Sequence, residues 1–152
     1  MKKVVVTIIF MLITNINVSA QEFNLSTIEN KFTSCTNTLE TAYNECPETW
    51  NTKCYHKLMA ANKDTQLCYK QIAIDMFVRF YNLPGKEAEK RFDTFSKSLY
   101  EQYLFVLFET NYCQKNNCGI GQYLHSEYAT TEQLKYYVNK IINSVSVNIN
   151  ND

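Results

Sequence analysis

Six cysteines (Cys35, Cys46, Cys54, Cys68, Cys113 and Cys118) follow a leader that reads as an export signal, and this pairing constrains the chain most. Met1-Lys2-Lys3 is a short basic end. Val4 to Ile13 is almost unbroken apolar, and Val18-Ser19-Ala20 puts small residues just before Gln21. That is the layout of a secretory signal peptide over residues 1–20, with an apolar core too short to span a bilayer well. An even cysteine count in an oxidising compartment reads as disulfides before metal or redox chemistry. The expected working protein is one exported domain, residues 21–152, in the periplasm or outside the cell, held by up to three bridges.

The leader carries two lysines and no acid, which leaves 13 basic against 15 acidic residues in the exported part. A nucleic-acid binder needs a basic face for its phosphate contacts, so nucleic acid is not an expected partner. After the leader the longest apolar run is Leu104 to Phe108, far below membrane-spanning length, so no membrane span is expected in the exported chain. Glycine and proline are scarce, at three and two. Strand-rich folds need a turn signal every ten residues or so, and only helices fit a chain so poor in them.

The helical spacing is explicit. Ile28, Phe32, Cys35, Leu39, Ala42 and Cys46 recur at steps of three and four behind a Ser26-Thr27-Ile28-Glu29 capping box, and Pro47 ends the run. A second helix is expected from about Thr49 to Asn62, with Cys54, Leu58 and Ala61 on one side. A third is expected from about Asp64, with Cys68, Ile72, Met76, Phe80 and Leu83 inward. Nothing at Asn62-Lys63-Asp64 forces a break, so one continuous helix fits equally well; Pro84-Gly85 ends the stretch. A long helix from Lys86 to about Tyr112 places Ala88, Phe92, Phe95, Leu99, Tyr103 and Val106 on one face, and its apolar end at 103–108 reads as centrally buried. Thr130-Thr131-Glu132-Gln133 offers a second capping box. It precedes Leu134, Tyr137, Val138, Ile141, Ile142 and Val145. The expected fold is an all-α, disulfide-stabilised bundle of four to five helices in one domain.

Six cysteines allow fifteen pairings, and helix geometry narrows them. Cys46 and Cys54 stand nearly symmetrically about the Pro47–Trp50 turn, so antiparallel helices bring them together. Cys35 and Cys68 then bridge the same helices further out. Their offsets differ by about 5 Å along the axis at 1.5 Å per residue, which a tilt or a break near Asp64 absorbs. Cys113 and Cys118 are left to close a local loop. The expected pairing is Cys35–Cys68, Cys46–Cys54 and Cys113–Cys118.

Catalytic chemistry finds little support. With three glycines there is no nucleophile elbow, no phosphate-cradling loop and no dinucleotide fingerprint. Only His56 and His125 are present, and Cys54-Tyr55-His56 lacks the Cys-x-x-Cys spacing of a zinc site. Neither a metal nor a cofactor is expected, and the chain is not expected to be an enzyme. The alternative is a small hydrolase using Glu109, a carboxylic acid placed just after an apolar run. Another alternative is a carrier of a lipid or other apolar ligand, with the aromatic stripe lining its pocket. The polar loop Gln114–Tyr123, with Asn116, Asn117, Gly119 and Gly121, reads equally as a plain connection or, pinned by a Cys113–Cys118 bridge, as a contact surface whose ordering entropy is spent in advance.

Two stretches resemble the small periplasmic immunity proteins that protect bacteria from type VI secretion amidases. Ala73-Ile-Asp-Met-Phe-Val-Arg-Phe-Tyr-Asn-Leu-Pro84-Gly-Lys-Glu-Ala-Glu-Lys90 is similar to that family's helix, proline-containing break and acidic restart. Cys118, then Tyr123-Leu124-His125-Ser126-Glu127 and Leu134, resembles its Cys-Ile-x-x-x-His-Ser segment before a terminal helix. This chain has more cysteines, an additional N-terminal helix and a longer Cys-to-His spacing. The resemblance implies an all-α periplasmic protein, often a homodimer, that occupies the active-site cleft of a peptidoglycan amidase and performs no catalysis. It adds Tyr123 and His125 to Asn116, Asn117 and Gly119 as expected partner-binding residues.

Peptide mapping of the oxidised protein should return one fragment joining Cys113 to Cys118. A fragment joining Cys113 to the N-terminal half would overturn the nested pairing.

Overall fold

The computed structural model describes residues 24–46, 52–109 and 121–149. The expected leader 1–20, the expected Pro47–Trp50 turn, residues 110–120 and the expected Cys113–Cys118 bridge lie outside them. Among the described residues the chain is all-α, with four helices: α1 Leu25–Asn44, α2 Thr52–Phe80, α3 Gly85–Glu109 and α4 Gly121–Ile149. None is long and apolar enough to cross a membrane.

The first helix forms on its stripe. Ile28, Cys35, Leu39 and Ala42 are buried along α1, with Cys46 just beyond it. Its N-cap is Asn24 rather than the expected Ser26. The Asn24 carboxamide oxygen accepts from the Ser26 N–H at 3.0 Å and from the Ser26 hydroxyl at 2.6 Å. An asparagine two residues upstream satisfies the same orphan donors, so the serine falls inside the first turn. The second helix is continuous through Asn62-Lys63-Asp64 for 29 residues, about 44 Å, and no break is needed for both bridges. Cys35–Cys68 and Cys46–Cys54 are both formed, with Cα separations of 6.2 and 5.5 Å.

The cross-connections fix the topology. The two disulfides run α1 antiparallel to α2. Lys70 on α2 pairs with Glu89 and Asp93 on α3, each at 2.9 Å, which turns α3 back along α2. Phe95 meets Tyr137, and Glu40 meets Lys135 at 3.4 Å, so α4 runs against both α3 and α1. It follows that α2 and α4 are parallel, and Gln66 marks their register by donating to the Glu127 carboxylate at 2.8 Å and the Thr131 hydroxyl at 3.0 Å. These two helices pack directly on each other and form the centre, and among the described residues the backbones of α1 and α3 approach the central pair but not one another.

Two apolar clusters fill the interior. The larger gathers Ile28, Cys35, Tyr69, Ile72, Ala73, Met76, Phe92, Leu134, Val138, Ile142 and Val145. The smaller holds Ala42, Cys46, Leu58 and Leu124 under the Cys46–Cys54 bridge. Between them, on α2 and α4, the buried residues are polar: Asn62, Thr65, Ser126, Thr130 and Thr131, none more than 2 % exposed.

That layer corrects the expected start of the last helix. Thr130 and Thr131 do not cap it, because α4 has been helical since Gly121. Their hydroxyls donate to the carbonyls of Ser126 and Glu127, each at 2.7 Å, the way a buried threonine satisfies itself within a helix. Two further expectations shift at helix ends. Phe80 is 37 % exposed at the end of α2. Phe105 is 65 % exposed, so the apolar stretch starting at Tyr103 is not buried on all sides.

The α2–α3 connection turns on Asn82, whose φ of 51° lies in the left-handed region. The reversal brings the Leu83 N–H to the Phe77 carbonyl at 3.2 Å, which also receives the Tyr81 N–H at 3.1 Å. Asparagine tolerates this conformation and a β-branched residue does not. Asn82→Val should lower stability by about 1–2 kcal/mol, with Asn82→Gly close to neutral, read as shifts of the urea-unfolding midpoint.

Candidate functional site

One end of the bundle collects the groups that sequence spacing had scattered. The N-termini of α2 and α4 and the C-terminal half of α3 meet there, and they bring up Tyr55, Tyr100 and Tyr123. Glu127 stands one turn further along α4. Tyr55 and Tyr100 are half-buried and Tyr123 is 43 % exposed. Burial raises the Tyr100 hydroxyl above its ordinary value, and the nearby Glu127, Tyr123 and Tyr55 raise it further. Glu127, Tyr123 and Tyr55 thus lie close enough to act on Tyr100, which stays a neutral hydroxyl donor through the physiological range.

The surroundings hold this cluster in place. Glu127 is fixed from behind by Gln66, which reaches both its carboxylate at 2.8 Å and its backbone carbonyl at 3.4 Å. His56 is exposed, with its ring edge-on to Tyr55 at a centroid distance of 5.3 Å. His125 is also exposed, on the second turn of α4. The aromatic surface continues down the α3–α4 seam. Phe95 meets Tyr137 edge-on at 5.0 Å, Tyr137 meets Tyr136 at 5.4 Å, and the Lys140 ammonium sits 5.4 Å from the Tyr136 ring centre. Tyr123 and Tyr137 stand about 21 Å apart along α4 and within about 40° around its axis.

On the far side, α1 presents an open groove of uncharged polar residues, Asn30, Thr33, Ser34, Asn37, Thr38 and Thr41. The Thr38 hydroxyl is turned onto the Ser34 carbonyl at 2.9 Å. That groove holds neither a charge nor an aromatic ring to discriminate a ligand.

Of the expected partner-binding residues, Tyr123 and His125 are brought to one accessible end of the bundle. Asn116, Asn117 and Gly119 lie outside the described residues. Glu109 ends α3, and its side chain is not among those described. No group of three or more metal-ligating side chains occurs among the described residues. Tyr55 and Tyr100 were missed by the sequence reading. Each sat at an unremarkable helical position, and only the packing of three helices shows that they converge.

The arrangement is equipped for recognition. Tyrosine rings bring contact area with two rotatable angles each, and neutral hydroxyls beside a fixed carboxylate bind polar and cationic groups. Comparison with known proteins finds no matching family model, no similar curated protein and no similar solved structure.

Four tyrosines, Tyr43, Tyr69, Tyr100 and Tyr128, have hydroxyls raised above their ordinary value, by burial first in each case. The folded chain therefore keeps these protons to higher pH than the unfolded chain. Their contribution is complete below the unfolded value of about 10 and is lost as pH rises through the folded values. The urea midpoint should be flat with respect to these groups from neutral pH to about 10 and fall above it. In Tyr100→Phe that fall should be shallower, and tyrosinate absorbance should report the same late titration.

Proposed function

We propose that this chain is an exported binding protein that recognises a protein partner through its tyrosine-rich end. In its most concrete form it is a periplasmic inhibitor that occupies the active-site cleft of a peptidoglycan amidase toxin. The observation that carries the binding reading is the gathering of Tyr55, Tyr123 and Glu127 around Tyr100 at one end of the bundle, with Tyr137 exposed on the same side of α4 further along and Tyr136 beside it. Tyrosine is enriched where proteins bind one another, because a rigid amphipathic ring costs little entropy to immobilise. The amidase as partner comes from the resemblance of residues 73–90 and 118–134 to the immunity proteins, and the leader supplies the compartment.

A carrier requires aromatics arranged around a cavity. Here Tyr69 and Phe92 are packed into the core, whereas Tyr123, Tyr136 and Tyr137 face solvent. That distribution favours recognition at a surface over carriage of an apolar ligand.

The test is capture and inhibition. The oxidised protein, used as bait on lysates of its own organism and close neighbours, should retain a peptidoglycan-cleaving enzyme whose activity falls on binding. Tyr123→Ala and His125→Ala should weaken inhibition, Tyr123→Ala by roughly thirtyfold, as expected for loss of about 2 kcal/mol at an aromatic anchor. Full inhibition by both variants would move the contact surface elsewhere. A protein that comes out alone, loaded with lipid, would replace this reading with the carrier.

A further inference from the structure

Four buried side-chain oxygens of α2 and α4 have no hydrogen-bond partner among the described residues: Gln122 Oε1 in the first turn of α4 and, further inside the bundle on facing helices, Asn62 Oδ1, Thr65 Oγ1 and Ser126 Oγ. Asn62, Thr65 and Ser126 are 0, 2 and 0 % exposed. The orientation of the Asn62 amide is fixed by chemistry. Its Nδ2 donates to the Leu58 carbonyl at 2.8 Å, and a carbonyl only accepts, so the oxygen is the atom left over. The same nitrogen donates to the Tyr43 hydroxyl at 3.0 Å.

The three oxygens stand at one level of the parallel α2–α4 pair. Leu58 and Leu124 share an apolar cluster on one side of that level. Gln66 joins Glu127 and Thr131 on the other. Asn62 and Thr65 lie between the two marks on α2, and Ser126 lies between them on α4. Thr130 and Thr131 in the same layer turn their hydroxyls back onto their own helix. Thr65 and Ser126 do not, although the carbonyls of Ala61 and Gln122 are the equivalent acceptors for them.

Buried polar atoms are nearly always satisfied, and a cluster of orphans on facing helices is the usual setting of an internal water with two to four polar partners. We propose that the α2–α4 polar layer is a binding site for ordered internal water that joins Asn62 Oδ1, Thr65 Oγ1 and Ser126 Oγ. The water donates to the Asn62 oxygen, which has no proton of its own, and exchanges hydrogen bonds with the two hydroxyls. The layer then welds the two central helices in one register, beneath the Gln66–Glu127 contact that supports the tyrosine cluster.

The experiment is water–amide cross-relaxation by NMR on the isotope-labelled, disulfide-intact protein. Long-lived water contacts at the backbone amides around Asn62, Thr65 and Ser126 are expected, and they should be lost in Thr65→Val/Ser126→Ala. Unfolding of single Thr65→Val gives an independent sign. Valine replaces a water-bridged hydroxyl at a loss, so the urea midpoint should fall, whereas replacing a dry orphan by a methyl of the same shape raises it. Absence of any long-lived water contact in the unaltered protein would overturn the proposal. So would a raised midpoint in Thr65→Val.

Discussion

Every other helix of this bundle packs against α2, so the way α2 is gripped decides the rest. Three kinds of bond hold it. Covalent bridges at Cys54 and Cys68 tie it to α1, and the Lys70 ammonium ties it to two carboxylates of α3. Direct packing joins it to α4, with Gln66 setting the register. The covalent grip is the most informative. Two bridges on one helix pair fix its relative rotation as well as its translation, which apolar stripes alone leave loose. With α1 locked, the larger cluster has one wall in place, and Ile28 and Cys35 meet Tyr69, Ile72 and Met76.

A parallel pair at the centre has a second consequence. Two helices joined by an intervening hairpin run parallel, and side chains between them must be small or mutually satisfied for the backbones to approach. The residues there are Asn62, Thr65, Ser126, Thr130 and Thr131, all buried. A polar layer flanked by apolar clusters penalises any slip of α4 along α2. A shift of one turn would set Leu58 or Tyr69 against hydroxyls and leave Gln66 without Glu127. An apolar seam would tolerate that slip far better, so the layer supplies specificity of register where leucines would supply only adhesion.

These particulars also explain what could be read in advance. The first helix was legible because its stripe is unbroken and both cysteines lie on it. Nested bridges followed from helix arithmetic, without needing to know whether α2 was broken. The start of α4 was not legible. Thr130-Thr131-Glu132-Gln133 has the composition of a cap, and the rule that reads it so assumes a solvated helix end. Buried within a layer, the same threonines bond to their own helix. Phe80 and Phe105 failed for the converse reason, since a helix outruns its neighbours at its ends and periodicity carries no information about length of overlap. Of the candidate site, Tyr123 and His125 came from a local motif. Tyr55 and Tyr100 required three helices to be placed, which no spacing rule does.

The same architecture accounts for where the tyrosines gather. At the end capped by Cys46–Cys54, the chain is held by a bridge, by the small apolar cluster and by the Gln66–Glu127 contact. Rings emerging from such a frame have little freedom left to lose. In the proposed binding role, contact energy from Tyr55, Tyr100 and Tyr123 goes to the partner rather than to ordering the surface itself. A carboxylate buttressed from inside adds direction to an otherwise permissive surface. A flexible loop could present the same residue types, but it would surrender in ordering entropy much of what the rings contribute. Three packed helices, one of them tied to α1 by two disulfides, avoid that loss.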